Sequence, residues 1–398
     1  MSRETSDRAA DALSRVLNYA HARDYRGYGK FDALNSPLVK ALTFNNRWLR
    51  FAASQAVKIS PINVRPIIGV SPCYNPKGMA LFAQSYLRLH AIGGEVEHAK
   101  RATDCLDWIV SDQVQGFSGA CWGYHWDWQD LDFYAPSRSP NCVVTCFAGH
   151  ALLDGFEQLG EPRWLDTAAS AADFILKDLP VLLETDDKLC LAYVPDARIT
   201  MRVMDVSVLA ASLIVRIDKA KGETRYADTA RRLMRYVADL KTEAGAWFYT
   251  DPPGRTIRTH DNYHTAFILD AFAVYEDATG SDEFRPVFDH GLAFYVERLF
   301  GPDGAPKWTD TEVYPQDAHS AGTAIGTLAR AYERTGDSAL LELAERVTTW
   351  TLDHLQRRDG AFNYQRTRFG VKPFTLMRWC NGWMAAGLSQ LRATRERG

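Results

Sequence analysis

The sequence predicts an all-α protein built as a closed ring of helical hairpins, and two observations carry that expectation. The first is a long-period repeat. The turn glycines Gly94, Gly160, Gly222, Gly280 and Gly336 stand 66, 62, 58 and 56 residues apart, and self-similarity on that scale marks a repeat architecture. The second is what surrounds each glycine: a helix of small and apolar residues before it, an amphipathic helix after it, then a long aromatic loop. Glycine suits the left-handed cap that ends a helix. The segments beyond the glycines echo one another, as in Pro162-Arg163-Trp164-Leu165-Asp166-Thr167-Ala168 and Thr224-Arg225-Tyr226-Ala227-Asp228-Thr229-Ala230. Acidic residues there favour a helix N-terminus.

Taken in order, residues 6–22 read as a helix with Ala9, Leu13, Val16, Leu17 and Ala20 on one face. Irregular chain carrying Pro61, Pro66 and Pro72 is expected from there to Asn75. Five helix pairs follow, 77–92 with 95–112, 143–159 with 162–178, 206–219 with 223–241, 264–279 with 282–300, and 320–335 with 338–356. A sixth inner-type helix, 375–393, has no partner downstream, and helix 6–22 has none either. Pairing the two gives six inner and six outer helices, an (α/α)6 toroid spanning 1–398 as one domain. A closed ring needs no capping repeat, unlike an open solenoid.

The loops after the outer helices share a Gly-x-aromatic cadence, as in Gly119-Ala120-Cys121-Trp122-Gly123-Tyr124, Gly245-Ala246-Trp247-Phe248-Tyr249 and Gly360-Ala361-Phe362-Asn363-Tyr364. Such alternation is expected to form short β-hairpins. Each loop joins an outer helix to the next inner one, so all of them gather at one mouth of the ring. The inner helices begin there, with their free N–H groups suited to anions.

Composition narrows the function. Net charge is −3 and no basic block interleaves with aromatics, so no nucleic-acid partner is expected. The polar N-terminus has no apolar signal core, and no apolar run reaches membrane-spanning length, so no membrane insertion is expected. The seven cysteines are scattered through mostly apolar stretches, which suits reduced thiols in a cytoplasmic protein. With 11 Trp and 17 Tyr, many of them in loops, the chain suits a flat ligand such as a carbohydrate, although a single aromatic can equally plug a loop base.

The densest polar stretch is Thr259-His260-Asp261-Asn262-Tyr263-His264-Thr265, set just ahead of the apolar run 266–275. Asp261 and His264, three apart, share a face of the first helical turn. The candidate catalytic groups are Asp261, His264, Asp317, His319 and Tyr364. Candidate substrate contacts are Trp122, Tyr124, Trp126, Asp127, Asn141, Asp205, Asn262, Tyr314, Arg366, Arg378 and Trp379. Each has a competing role, because Asp and Asn at helix starts are favoured as caps.

Three functions fit this set. Asp261 with Asp317 would form the carboxylate pair of a glycoside hydrolase. His264 as base, Asn262 binding a carboxylate and Tyr364 as acid would suit proton abstraction in a uronate lyase or C5-epimerase. A sugar-binding or scaffold protein without catalysis is the third. Arg138, Arg202, Arg258, Arg366, Lys372 and Arg378 near the loops favour an acidic poly- or oligosaccharide. Asp261, His264, Asp317 and His319 are metal-ligand types at spacings that match no strong pattern, so no metal and no cofactor is expected.

Several stretches together carry a resemblance: Arg26-Gly27-Tyr28-Gly29-Lys30-Phe31-Asp32, Trp122-Gly123-Tyr124-His125-Trp126-Asp127-Trp128-Gln129, Asp261-Asn262-Tyr263-His264-Thr265, Tyr314-Pro315-Gln316-Asp317-Ala318-His319-Ser320 and Met377-Arg378-Trp379. In this order the chain resembles a family of bacterial proteins encoded with exopolysaccharide or capsule biosynthesis genes. It is more distantly similar to six-hairpin glycosidases and to toroid polysaccharide lyases and epimerases. The resemblance implies a role in polysaccharide biosynthesis. The chain departs from the family at Gly29-Lys30, where Asp-Pro is expected.

Overall fold

A computed structural model describes residues 3–129, 134–253 and 259–397. Along the chain run α1 (Arg3–His21), α2 (Pro37–Leu42), α3 (Arg47–Ile59), α4 (Pro76–Gly93), α5 (Val96–Ser111), α6 (Cys142–Leu159) and α7 (Pro162–Asp173). They are followed by α8 (Met204–Lys221), α9 (Ala227–Asp239), α10 (Asn262–Thr279), α11 (Arg285–Arg298), α12 (Ala318–Thr335), α13 (Ser338–Leu355) and α14 (Trp383–Arg397). From α4 to α14 each even-numbered helix packs on the next, and α14 packs back on α4. That is a closed inner ring. Helices α5, α7, α9, α11 and α13 pack outside their hairpin partners, and α1 completes the outer ring against α13 and α14. The fold is the six-hairpin toroid.

The five turn glycines end the inner helices in the left-handed region, with φ between +66° and +76°, where a Cβ would be strained. The inner ring is tight because its residues are small. A Cβ added to Gly387 would lie 2.2 Å from the carbonyl oxygen of Gly322, so α14 and α12 touch backbone to backbone.

Two expectations about the connections are corrected. The segment expected to be irregular holds α2 and α3, each started by a side-chain cap. Ser36 Oγ accepts from the Val39 N–H at 3.1 Å, and Asn46 Oδ1 accepts from Trp48 and Leu49 at 2.9 and 3.2 Å. Ser-Pro and Asn before a helical run are readable start signals; the prolines on the far side obscured them. The Gly-x-aromatic stretches are not strands either. Trp122 and Trp247 turn inward and donate their indole N–H to the carbonyls of Ile109 and Val237, at 2.8 and 2.9 Å. They add a second donor to last-turn carbonyls of α5 and α9, which also accept the backbone N–H of Asp112 and of Leu240, each at 3.2 Å.

Short antiparallel pairs lie elsewhere in the loops. They are β1 (Trp128–Gln129) with β2 (Tyr134–Ala135), β3 (Val181–Glu184) with β4 (Leu189–Leu191), and β5 (Arg202–Val203) with β6 (Thr250–Asp251). β7 (Gln316–Asp317) pairs with β8 (Gln365–Thr367), which pairs with β9 (Gly370–Lys372). β5–β6 and β7–β8 each tie the loops of neighbouring repeats together, which steadies the mouth.

Candidate active site

The mouth encloses a cavity of about 430 Å³, within the range that holds small ligands. Every inner-helix start contributes to its wall: Lys77 from α4, Val143 from α6, Asp205 from α8, His264 from α10, His319 from α12, and Arg378 with Trp379 just ahead of α14. Tyr124, Trp126 and Trp128 close one side, and α3 covers another with Phe51, Gln55 and Lys58.

Asp261 caps α10, accepting the His264 backbone N–H at 2.8 Å on one oxygen. On the other it accepts the His264 Nδ1–H at 2.6 Å. A carboxylate so placed orients the imidazole and leaves Nε2 available to a reactant. Burial lowers the His264 pKa, but the Asp261 charge and hydrogen bond more than offset this and hold it above the ordinary value.

His319 is the opposite case. It is buried, and neither ring nitrogen has a hydrogen-bond partner among the described residues. Its ring stacks on Tyr263 at 4.4 Å and on Trp383 at 4.8 Å, with Trp379 edge-on at 4.3 Å. Burial, followed by the charges of Arg378, Lys77 and Lys30, pushes its pKa well below the ordinary value. Tyr263 also touches the His264 ring, at 4.3 Å. One aromatic ring therefore bridges two histidines whose environments push their protonation apart, which is how acid and base roles are assigned.

The cavity is cationic. Lys30 sits 3.7 Å over the Trp379 ring, and Lys77 sits 3.7 Å from the ring of Phe147 and 4.6 Å from that of Phe267. Arg378 lies 4.9 Å over Trp379. No ion pair holds any of the three among the described residues; aromatic faces take that place. Burial lowers the Lys30 pKa from 10.5 to about 7, against the pull of Asp317, and lowers that of Lys77 well below its ordinary value. Asp205 is buried, one of its oxygens lacks a partner, and burial raises its pKa, with Asp261 adding to the rise.

Of the expected residues, Tyr124, Trp126, Asp205, Asp261, His264, His319, Arg378 and Trp379 line the cavity. The others do not, for identifiable reasons. Asp317 is fully buried and accepts from Gln365 Nε2, Trp379 Nε1 and the His319 N–H at 2.7 to 2.8 Å, so its carboxylate is a cap beneath Trp379. Trp122 is the loop plug described above. Asn262 donates to the Leu299 carbonyl and accepts from the Tyr295 hydroxyl, both at 3.0 Å. Asn141 caps α6 through the Val144 N–H, and Asp127 is held by Ser137, Tyr134 and Lys40.

Arg366 donates to Gln316. Tyr364 and Tyr314 border a neighbouring groove of about 800 Å³, Tyr364 with its side chain buried against Phe374. Arg138 and Arg202 are paired with Asp112 and Asp251, and Lys372 donates to the Ile59 carbonyl. Arg258 lies outside the described residues.

Sequence reasoning missed Lys30, Lys77 and Tyr263 as wall residues. Lys77 had a readable signal, a cation in the first turn of an inner helix whose other residues are small or apolar. Lys30 had none, because its loop reaches the mouth only in the folded chain.

No family model matches the sequence, and no curated protein does. Solved structures do match. A sugar epimerase from a ruminal bacterium is similar over 82% of this chain and 90% of its own, at 16% identity and a TM-score of 0.65. An unsaturated glucuronyl hydrolase specific for heparin is similar over 99% and 98%, at 13% identity and a TM-score of 0.65. A GH76 α-mannanase of Bacteroides thetaiotaomicron is similar over 81% and 86%, at 14% identity and a TM-score of 0.59. The chain therefore shares the toroid fold of carbohydrate-processing enzymes. Those three names cover different reactions, so the reaction of this chain has to be argued from its own cavity.

Proposed function

We propose that this protein is a carbohydrate-active enzyme that moves a proton on an anionic saccharide, as a uronate lyase or C5-epimerase does. The observation that carries this reading is the pair His264 and His319 across Tyr263, in a cavity walled by Lys30, Lys77 and Arg378. The cations hold the substrate carboxylate and offset the negative charge that spreads over it as the neighbouring C–H bond breaks. His319, kept neutral, takes the C5 proton. His264, kept protonated by Asp261, gives one.

Delivered to the opposite face of C5, that proton yields the epimer. Delivered to the O4 leaving group as the C4–O bond breaks, it yields a chain end with a C4=C5 double bond. Both outcomes balance without a further reactant. His264 thus becomes the acid, and Tyr364, which borders the other groove, drops out of the mechanism.

Asp205 supports a second reading. A buried carboxyl with a raised pKa and an unpartnered oxygen suits the acid of a glycoside hydrolase, with Asp261 rather than Asp317 as its partner. The motif resemblance supports a setting in bacterial exopolysaccharide or capsule assembly, and an acidic polymer of that kind is the first substrate to try. Incubation in deuterated water separates the readings. Deuterium at C5 or a new ultraviolet-absorbing double bond supports proton transfer, whereas reducing ends without either supports hydrolysis. Tight binding with no turnover would leave a sugar-binding scaffold and overturn both.

A further inference from the structure

The groove of about 800 Å³ adjoins the cavity, and the two share Lys30, Lys58 and Trp308 as lining residues. Lys30 Nζ and Lys58 Nζ each lie 5.6 Å from the centre of the Phe31 ring, so two cations meet one ring at the border. Trp308 belongs to both sides. Its carbonyl accepts the Asn262 N–H at 3.3 Å, where α10 begins. Its ring lies 6.2 Å from that of Tyr263, and its side chain also borders the groove.

The groove's own walls carry flat rings and positive charge. Tyr314 and Phe369 line it and are exposed, as rings that stack on a saccharide must be. Among the described lining residues Lys30, Lys58, Arg368 and Lys372 are basic, and Glu312 is the one acid. Lys372 donates to the Ile59 carbonyl at 3.1 Å, and Arg368 lies 4.7 Å over the Phe369 ring. These neutral partners leave both charges in place. Asp317 pulls on Lys372 from behind, but its oxygens already accept from Gln365, Trp379 and His319.

We propose that this groove binds the part of an acidic saccharide chain that flanks the unit held in the cavity, so that the protein takes a polymer rather than a mono- or disaccharide. Arg368 and Lys372 meet the carboxylates of the flanking units, and Tyr314 stacks on a ring between them. An acidic peptide would meet the same cations, but nothing would carry it on into the cavity. A saccharide chain whose reacting unit lies beside His264 and His319 has to leave the cavity, and Lys30, Lys58 and Trp308 mark this side as its way out. The assignment rests on the reading of the cavity as a site for an anionic saccharide, not on which reaction occurs there.

Calorimetric titration of the full chain with oligomers of glucuronate, galacturonate and mannuronate tests the proposal. In at least one series the octasaccharide should bind about tenfold or more tightly than the disaccharide, because one chain then engages both sites. Arg368→Gln, Lys372→Gln and Tyr314→Ala should each cost the octasaccharide about fivefold and leave disaccharide affinity as it was. If Lys372→Gln fails to fold, as read from its melting curve, the exposed Tyr314→Ala still decides. Equal affinity for short and long oligomers, or no binding in any series, would overturn the proposal. So would poly-glutamate that binds as tightly as the octasaccharide, which would assign the groove to an acidic peptide. A gain with chain length but no deuterium at C5 and no new double bond would keep the groove and overturn only the proton-transfer reading of the cavity.

Discussion

The His264 ring donates through Nδ1 to the Asp261 carboxylate at 2.6 Å, and the same carboxylate caps the helix on which His264 sits. One side chain thus ends the helix, fixes the ring and holds its proton. Asp261→Asn separates these roles, because asparagine caps almost as well as aspartate but brings no charge. The variant should fold normally. As His264 acts in its protonated form, activity falls as pH rises through its pKa, and losing the carboxylate lowers that pKa. The alkaline limb of the pH–kcat profile should therefore move to lower pH. An unmoved limb would remove His264 as the acid.

The two histidines should fail differently. His319→Gln should lose solvent exchange of the C5 proton together with turnover, by roughly a hundredfold or more. His264→Gln should lose turnover to a similar extent while C5 exchange persists, because the base remains. Nuclear magnetic resonance in deuterated water reads both. Equal loss of exchange in the two variants would contradict the assignment.

Lys30 links binding to pH. Its folded pKa of about 7 lies below the ordinary 10.5, so between these values the unfolded chain binds more protons and stability rises with pH. Lys30→Met should flatten that rise in a series of melting curves and stabilise the protein at neutral pH. It should also abolish a loss of anionic-saccharide affinity that the native protein shows above about pH 7. Affinity in the native protein that is flat across this range would exclude Lys30 from the carboxylate site.

Asp32 and Arg65 form an ion pair at 2.6 Å, each 1% exposed, and Arg65 also donates to the Lys30 carbonyl at 3.3 Å. The pair fastens the loop that carries Lys30 to the chain after α3. Removing one partner leaves a buried charge, so Arg65→Met should cost about 3–5 kcal/mol in denaturant unfolding and raise KM for an anionic substrate. A small effect on both would make the pair incidental.

The ring and its direction were legible because they rest on local chemistry. Gly94, Gly160, Gly222, Gly280 and Gly336 are needed where φ is positive, and small residues are needed where inner helices touch, so both repeat visibly along the chain. Asp261 and His264 were legible as a pair because a helix turn puts residues three apart side by side. Capping and catalysis, however, select the same residue types at the same helix starts. Asn141, Asn262 and Asp317 looked like Asp205 and Asp261 in the sequence, and only packing separated them. Asp317 turned under Trp379, while Asp205 was left with an unpartnered oxygen.

By itself, then, the sequence determined the number of hairpins, their handover from inner to outer helix, and the mouth at which polar groups collect, because turn conformation and helix periodicity act over a few residues. The tertiary structure alone decided which of those groups face the cavity and what charge they carry there. Lys30 and Lys77 come from distant parts of the chain to meet His264 and His319. Their protonation is set by burial and by one another's fields, which exist only once the ring has closed.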